Sequence, residues 1–373
     1  MASGKSAEGG QLPLFGTAGL RPGGLKETAA SPPAPAAGPA APPATSAAPV
    51  APAAGPPAPP AAPALVGAAT PSPEVAALAG RLPSGLYLGG STWSFPGWAG
   101  LVYDRPHPAA RLARHGLAAY ARHPLLRAVG IDRTHYRPLP AEELTDYAAA
   151  VPPDFLFLVK AHEACTLARF PDHARYGAER GQPNPLFLDA AYAAAEVVAP
   201  YVEGLGARGG ALLFQFAPQE LGSPRRFAAR LHAFLAALPR GPRYAVELRN
   251  RELLTGDYAA ALAAAGACHC INLHPRMPGV RVQAHLTRAA GGPLQPGRWL
   301  LGAGATYEAA GRRFAPFNRL QAPDQGARRA WAELARAVLA AGRQLLLTVN
   351  NNAEGCAPLS IVALVEELLT AGG

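Results

Sequence analysis

A chain of 373 residues with 34 basic and 25 acidic side chains could hold two average domains, or one barrel of about 250 to 300 residues behind a tail. The net charge of +9 is moderate and favours anionic partners through long-range attraction. The slightly positive mean hydropathy is no membrane signal, because Ala and Pro inflate it and no run is long enough to span a bilayer.

The first residues, MASGKSAEGGQLPLFG, carry one lysine but no continuous apolar segment, so they do not read as a secretory signal and a cytoplasmic location is expected. Residues 1–27 read as a tail and 28–80 as a disordered Ala/Pro-rich linker. From Thr28 to Pro73 there is no charge, and the varied apolar side chains needed for a core are missing. From residue 81 to 371 short apolar runs alternate with Ala/Leu/Arg-rich amphipathic stretches, the pattern of repeated β-α units. Strands are predicted at Leu86–Gly90, Ala128–Ile131, Phe155–Val159, Ala211–Phe216, Tyr244–Leu248, Cys268–Leu273, a seventh ending near Trp299–Leu301, and Leu345–Val349. Helices are predicted at Pro108–Ala121, Ala141–Ala150, Leu188–Leu205, Pro224–Ala237, Tyr258–Ala265, Tyr307–Arg313 or Arg328–Ala341, and Leu359–Leu369. Pro275 to Pro296 reads as a long loop after the sixth strand. The fold class expected is α/β, a (β/α)8 TIM-type barrel preceded by a disordered tail.

Barrels of this kind build their sites at the C-terminal ends of the strands, and polar residues gather there in this chain. Lys160 is the single lysine outside the tail, among arginines everywhere else, which hints at a position that needs a compact, titratable amine. Strand alternation puts Lys160 with His162 on one face, and Glu247 with Arg249. Together with Gln215 and Arg298, such a set suits a small anionic ligand, phosphorylated or sugar-like, with Glu247 as general base and Lys160 as the second catalytic candidate. A lysine at a strand end also raises Schiff-base chemistry. The bland alternative is a buried Glu247–Arg249 pair that merely fills the barrel. Trp93 and Trp98 either stack on a ligand or pack the loop over the mouth. His135, His162 and His274 could converge, but ordinary polar or core roles are expected. Cys165, Cys268, Cys270 and Cys356 suit a reducing compartment, and Cys268 and Cys270 should share one strand face as small core residues. No zinc spacing, phosphate loop or nucleophile turn is present, so neither a metal nor a cofactor is expected.

The segments GGSTWSFPGW, IDRTHYRPLP, FLFLVKAHEACT, LLFQFAPQ, AVELRNREL and VNNNAEGCAPLS resemble the YecE-like family, known as domain of unknown function 72. The likeness runs from about Leu86 to Leu369. It implies a (β/α)8 barrel and a polar pocket of Trp93, Tyr136, Lys160, Gln215, Glu247, Arg249, Asn350 and Asn351. The chain departs from the family pattern at three places: Gly130 and Asp132 stand where a Glu and an Asn are usual, Thr166-Leu167 replaces a Thr-His pair, and Arg298-Trp299-Leu300-Leu301 replaces Arg-Leu-His-Gly. Asp132 joins the ligand-binding candidates.

In the tail, Gln11-Leu12-Pro13-Leu14-Phe15 looks like the short peptide by which bacterial DNA polymerases and repair proteins bind the sliding clamp. A flexible tail would present Leu12, Leu14 and Phe15 to an apolar pocket, with Gln11 hydrogen-bonding. Three functions therefore stand side by side: a barrel that binds or acts on an anionic metabolite, a DNA-maintenance factor recruited to the clamp whose mouth meets nucleic acid, and an interaction protein with a decayed pocket. None involves a membrane.

Overall fold

A computed structural model describes residues 65–302 and 304–370. The clamp-like peptide and the Ala/Pro-rich stretch up to Ala64 lie outside the described residues. Nine strands form one parallel sheet: β1 (Leu86–Gly90), β2 (Ala128–Ile131), β3 (Leu156–Lys160), β4 (Gly209–Phe216), β5 (Tyr244–Leu248), β6 (Cys268–His269), β7 (Ile271–Leu273), β8 (Leu294–Trp299) and β9 (Gln344–Val349). Their order is β6-β5-β4-β3-β2-β1-β9-β8-β7. Only Cys270 separates the two ends of that order in the chain, so the expected sixth strand is split: β6 pairs with β5 and β7 with β8. The result is the expected barrel, its ring joined at one place by the chain itself.

Side chains patch this break. The Cys270 amide still donates to the Val246 carbonyl at 2.8 Å. Beyond it, Asn272 Nδ2 donates to the Leu248 carbonyl at 3.2 Å, and Gln283 satisfies both the amide and the carbonyl of Asn272. A buried backbone group left unpaired would be costly, so these two amide side chains replace the ladder that β6 and β7 do not make.

Alternation along the strands sorts the core into two parts. Ala128, Leu158, Ala211, Leu213, Ala245 and Leu346 belong to one apolar cluster inside the barrel, while their neighbours Val129, Phe157, Leu212, Val246 and Leu347 pack outward in the larger core with the helices. Cys268 and Cys270 are interior members of the first cluster, as their spacing predicts. His269 faces the other way, hydrogen-bonded to the Tyr258 hydroxyl at 2.8 Å and to Gln283 at 3.0 Å. Two residues further along the same strands the interior turns polar at Lys160, Gln215, Glu247 and Thr348, and on β8 it does so at Arg298, four residues after interior Leu294.

Five expectations need correction. The predicted linker does not run to residue 80, because Pro73–Gly80 is a helix: Ser72 Oγ caps the Val75 amide and Pro73 opens the first turn. The segment before it pairs with the loop after β1 through Ala69 N to Val102 O at 2.9 Å. Pro275–Pro296 is no long loop, since it holds a helix at Val280–Leu286 and the start of β8. Pro296 inside β8 has no N–H to give, and Gln295 Nε2 supplies a donor beside it, reaching the His269 carbonyl at 2.8 Å. The predicted helix Pro108–Ala121 divides at Gly116, and Leu188–Leu205 contains a π-turn at Ala194–Val198 just before Pro200, which has no N–H to return to the preceding turn. Finally, Tyr307–Phe314 and Gln325–Ala340 are both helices rather than alternatives.

Candidate functional site

The polar layer centres on Glu247, which is fully buried. Its Oε1 accepts from Arg249 Nε and Nη2, both at 2.5 Å, and its Oε2 accepts from Arg298 Nη1 at 3.1 Å. Arg298 Nη2 lies 3.5 Å from both oxygens of Asp132, at the end of β2. Burial alone would raise the Glu247 carboxyl, but Arg249, Arg298 and Lys160 outweigh it and hold the group at about 2. A carboxylate with both oxygens engaged and so low a pKa is a weak proton acceptor. The expected Glu247–Arg249 pair is therefore present, enlarged by Arg298 and Asp132.

Lys160 projects from the end of β3 into the same layer and is 3% exposed. Burial lowers its amine to about 8, against the pull of Asp132 and Glu247. No carboxylate among the described residues forms an ion pair with it. Three cations thus face two carboxylates in a buried layer. Around them, Ser91 Oγ, Thr348 Oγ1, Asn272 Oδ1 and Asn351 Nδ2 are buried without a partner among the described residues. Gln215, 9% exposed, sits opposite Glu247 in the β4–β5 register. Asn350 accepts from the Asn352 amide through its Oδ1 at 2.9 Å. Thr348 and Ser91 were not singled out from sequence, although counting back by two from Asn350 reaches Thr348.

Other expected ligand contacts have structural duties instead. Trp93 is buried outside the ring, its indole donating to the Leu112 carbonyl at 3.1 Å and its ring meeting that of Tyr147 in a T-shaped contact. Trp98 donates to Asn351 Oδ1 at 3.2 Å, and the same oxygen accepts from the Ala357 amide at 2.7 Å, tying the loop after β1 to the last helix. His162 leaves the alternation where β3 ends and meets the Tyr192 hydroxyl at 2.6 Å. The three histidines stay apart: His135 meets the Ala161 carbonyl and Glu163, while His274 lies beside Tyr307. Among the described residues no group of three or more His, Cys, Asp or Glu comes together as a metal site, and no helix is long and apolar enough to cross a membrane. A small crevice beside β3 is lined by Thr134, Leu139, Val159, Lys160, His162 and Tyr201, among others.

A third carboxylate was given no role from sequence. Glu163, just past β3, accepts from Arg175 Nη2 at 2.6 Å and from the Tyr176 hydroxyl at 3.1 Å, and His135 Nε2 lies 3.6 Å away. Arg175 also lies over the Tyr136 ring, 5.3 Å from its centre. Burial raises the Glu163 carboxyl, and Arg175 only partly offsets this. Arg175 and Tyr176 belong to a surface excursion with no periodicity, so nothing in their spacing announces that they reach Glu163.

The departure at Gly130 has a local reason. A Cβ there would stand 2.7 Å from the Ser91 carbonyl oxygen, so the usual glutamate would not fit without movement of the loop after β1. Asp132, two residues on, supplies the carboxylate of this strand instead.

A family model described as "Protein of unknown function DUF72" matches residues 87–372. Among solved structures, a DUF72 family protein from Enterococcus faecalis is similar with a TM-score of 0.51 at 20% identity, covering 76% of this chain and 95% of that one. A DUF72 family protein from Thermotoga maritima gives 0.49 at 20% identity, covering 76% and 99%. Such identities speak for the fold alone. No curated protein matches the chain. With a family model spanning the sheet from β1 to the last helix, and the barrel it implies in place, the chain belongs to the DUF72 family.

Proposed function

We propose that the barrel binds and acts on a small anionic ligand, phosphorylated or sugar-like, at the C-terminal ends of its strands. The observation that carries this reading is Lys160: a buried amine with no ion-pair partner among the described residues, in a layer where cations outnumber carboxylates. A buried charge without a partner is costly, and an anion arriving beside Lys160 would remove that cost. The hydroxyls of Ser91 and Thr348 and the amide of Gln215 can donate or accept toward a polyhydroxylated ligand. Within this reading Lys160 is the proton-transfer group, because an amine near 8 exchanges protons close to neutral pH. Glu247, fixed between two guanidinium groups, orients Arg249 and Arg298 instead of taking a proton.

The test is a melting-temperature screen of sugar phosphates, sugar acids and neutral sugars against the wild type and Lys160→Met. A ligand at about one hundred times its Kd stabilises by about 2.7 kcal/mol, roughly 4–6 °C for a domain of this size. The expected result is a rise of that order for anionic compounds only, lost in the variant. Equal rises for neutral sugars, or rises that survive Lys160→Met, would sink the proposal.

A further inference from the structure

Between Ala168 and Asn184 the chain leaves the barrel and returns as a narrow two-stranded stem with an exposed tip. The stem is firmly built: Phe170 N donates to Gln182 O at 3.0 Å, Gly181 N to Phe170 O at 3.1 Å and Asn184 N to Ala168 O at 3.1 Å. Asn184 Nδ2 fastens its base to the Ala164 and Leu167 carbonyls, and Gln219 bonds the Thr166 carbonyl and the Ala168 amide. The tip differs. Of residues 171–180 only Tyr176 is not exposed, so the tip has no core of its own. Its polar contacts with the barrel, among the described residues, run through Arg175 and Tyr176 to Glu163, with Arg175 also over Tyr136. Gly177 and Gly181 sit at φ of +54° and +70°, which other residues rarely adopt, so the two glycines give the tip its sharp turns.

Glu163 borders the polar layer from the β3 end, three residues beyond Lys160, and Arg175 lies within electrostatic reach of His135 and Tyr136, as does Arg298. We infer that the excursion from Ala168 to Asn184 is a lid on the barrel mouth, latched closed by Arg175 and Tyr176 on Glu163. The latch is suited to reversible use. A single half-exposed guanidinium holds it, in contrast with the two buried ones on Glu247, and such a pair contributes little to global stability. The stem is built well enough to move as a unit, while the tip opens with few contacts to break. This inference rests on the mouth being the ligand site for its purpose, but the latch itself can be tested without any ligand.

Trypsin cleavage at the Arg180–Gly181 bond, followed by mass spectrometry on the full-length protein under native conditions, reads how often the tip is open. Glu163→Gln and Arg175→Ala should each speed that cleavage by roughly three- to tenfold, with Arg175→Lys intermediate, while cleavage at arginines of the helices stays unchanged. Unchanged cleavage at Arg180 in both Glu163→Gln and Arg175→Ala would overturn the lid. Arg175→Ala changes a surface residue, so it remains decisive if Glu163→Gln loosens the barrel as a whole and all sites are cut faster. Failure here leaves the ligand screen with Lys160→Met untouched, and failure of that screen leaves the latch standing.

Discussion

Two glutamates at the same end of the barrel, Glu247 as the fourth residue of β5 and Glu163 just beyond β3, meet opposite electrostatic fates. Both lose water, and that alone raises either carboxyl. Glu247 recovers the loss through two buried guanidinium groups on both of its oxygens and ends at about 2. Glu163 has one arginine, 39% exposed, and stays above the ordinary carboxylate value. The difference teaches that burial does not decide what a carboxylate does in this barrel. The number and burial of its arginines do, so that one glutamate is a permanent part of the frame and the other a releasable hold.

The largest effect expected from this contrast is that of Glu247→Gln, which leaves Arg249 and Arg298 buried without their shared counter-charge. Removing one member of a buried pair typically costs about 3–5 kcal/mol, and urea denaturation of the two proteins at pH 7 should show a loss of that order. The pH dependence sharpens the point. The folded pKa of Glu247 lies below its unfolded value of about 4.3, so its stabilisation is fully present above that value and is lost as pH falls through the folded value near 2. The wild-type advantage should therefore shrink between about pH 4 and pH 2. A penalty under about 1 kcal/mol at pH 7 would mean that the arginines find other partners and that Glu247 is free for chemistry after all.

Lys160→Met should act in the opposite direction. Burial depresses the amine from its ordinary value to about 8, so the folded state holds its proton less tightly than the unfolded chain does. At neutral pH this costs stability, and the cost fades as pH rises through 8 towards about 10.4. Replacing the amine by a side chain of similar length should stabilise the ligand-free protein by about 1–3 kcal/mol at pH 7, with the gain gone by about pH 10. Denaturation midpoints across that range measure it. A loss of stability at pH 7 would show that Lys160 is held by the frame, and the reading of it as an unpartnered, functional amine would fail.

How much of this was legible beforehand follows from what each signal depends on. Apolar runs with period two located the strands, and the same alternation carried forward pointed to Lys160, Gln215, Glu247 and Arg298, because a barrel converts strand register directly into interior position. Signals that depend on partners far away in sequence were not visible. Trp93 could not be told from a ligand platform until its indole was seen on the Leu112 carbonyl, and Asn351 until it was seen holding Trp98. The start of β8 was hidden inside the expected loop, because Pro296 has no N–H for a ladder and the donor that replaces it comes from the side chain of Gln295. Arg175 gave no sign, since the residue it serves is met only when the excursion folds back.

The smallest effect belongs to Glu163→Gln, and it decides whether the two glutamates differ in kind. A carboxyl whose folded pKa is raised contributes stability below its unfolded value, about 4.3, and loses it as pH rises through the folded value. At pH 7 Glu163 is therefore a net burden even with Arg175 beside it, and its amide analogue escapes that burden while keeping an acceptor for Tyr176. The variant should lie between equal stability and about 1 kcal/mol of added stability at pH 7, with the difference vanishing near pH 4. Paired with faster trypsin cleavage at Arg180, this outcome separates local opening of the tip from any weakening of the barrel. A loss beyond about 1 kcal/mol would place Glu163 with Glu247 in the frame, and faster cleavage would then report on the whole fold and not on a latch.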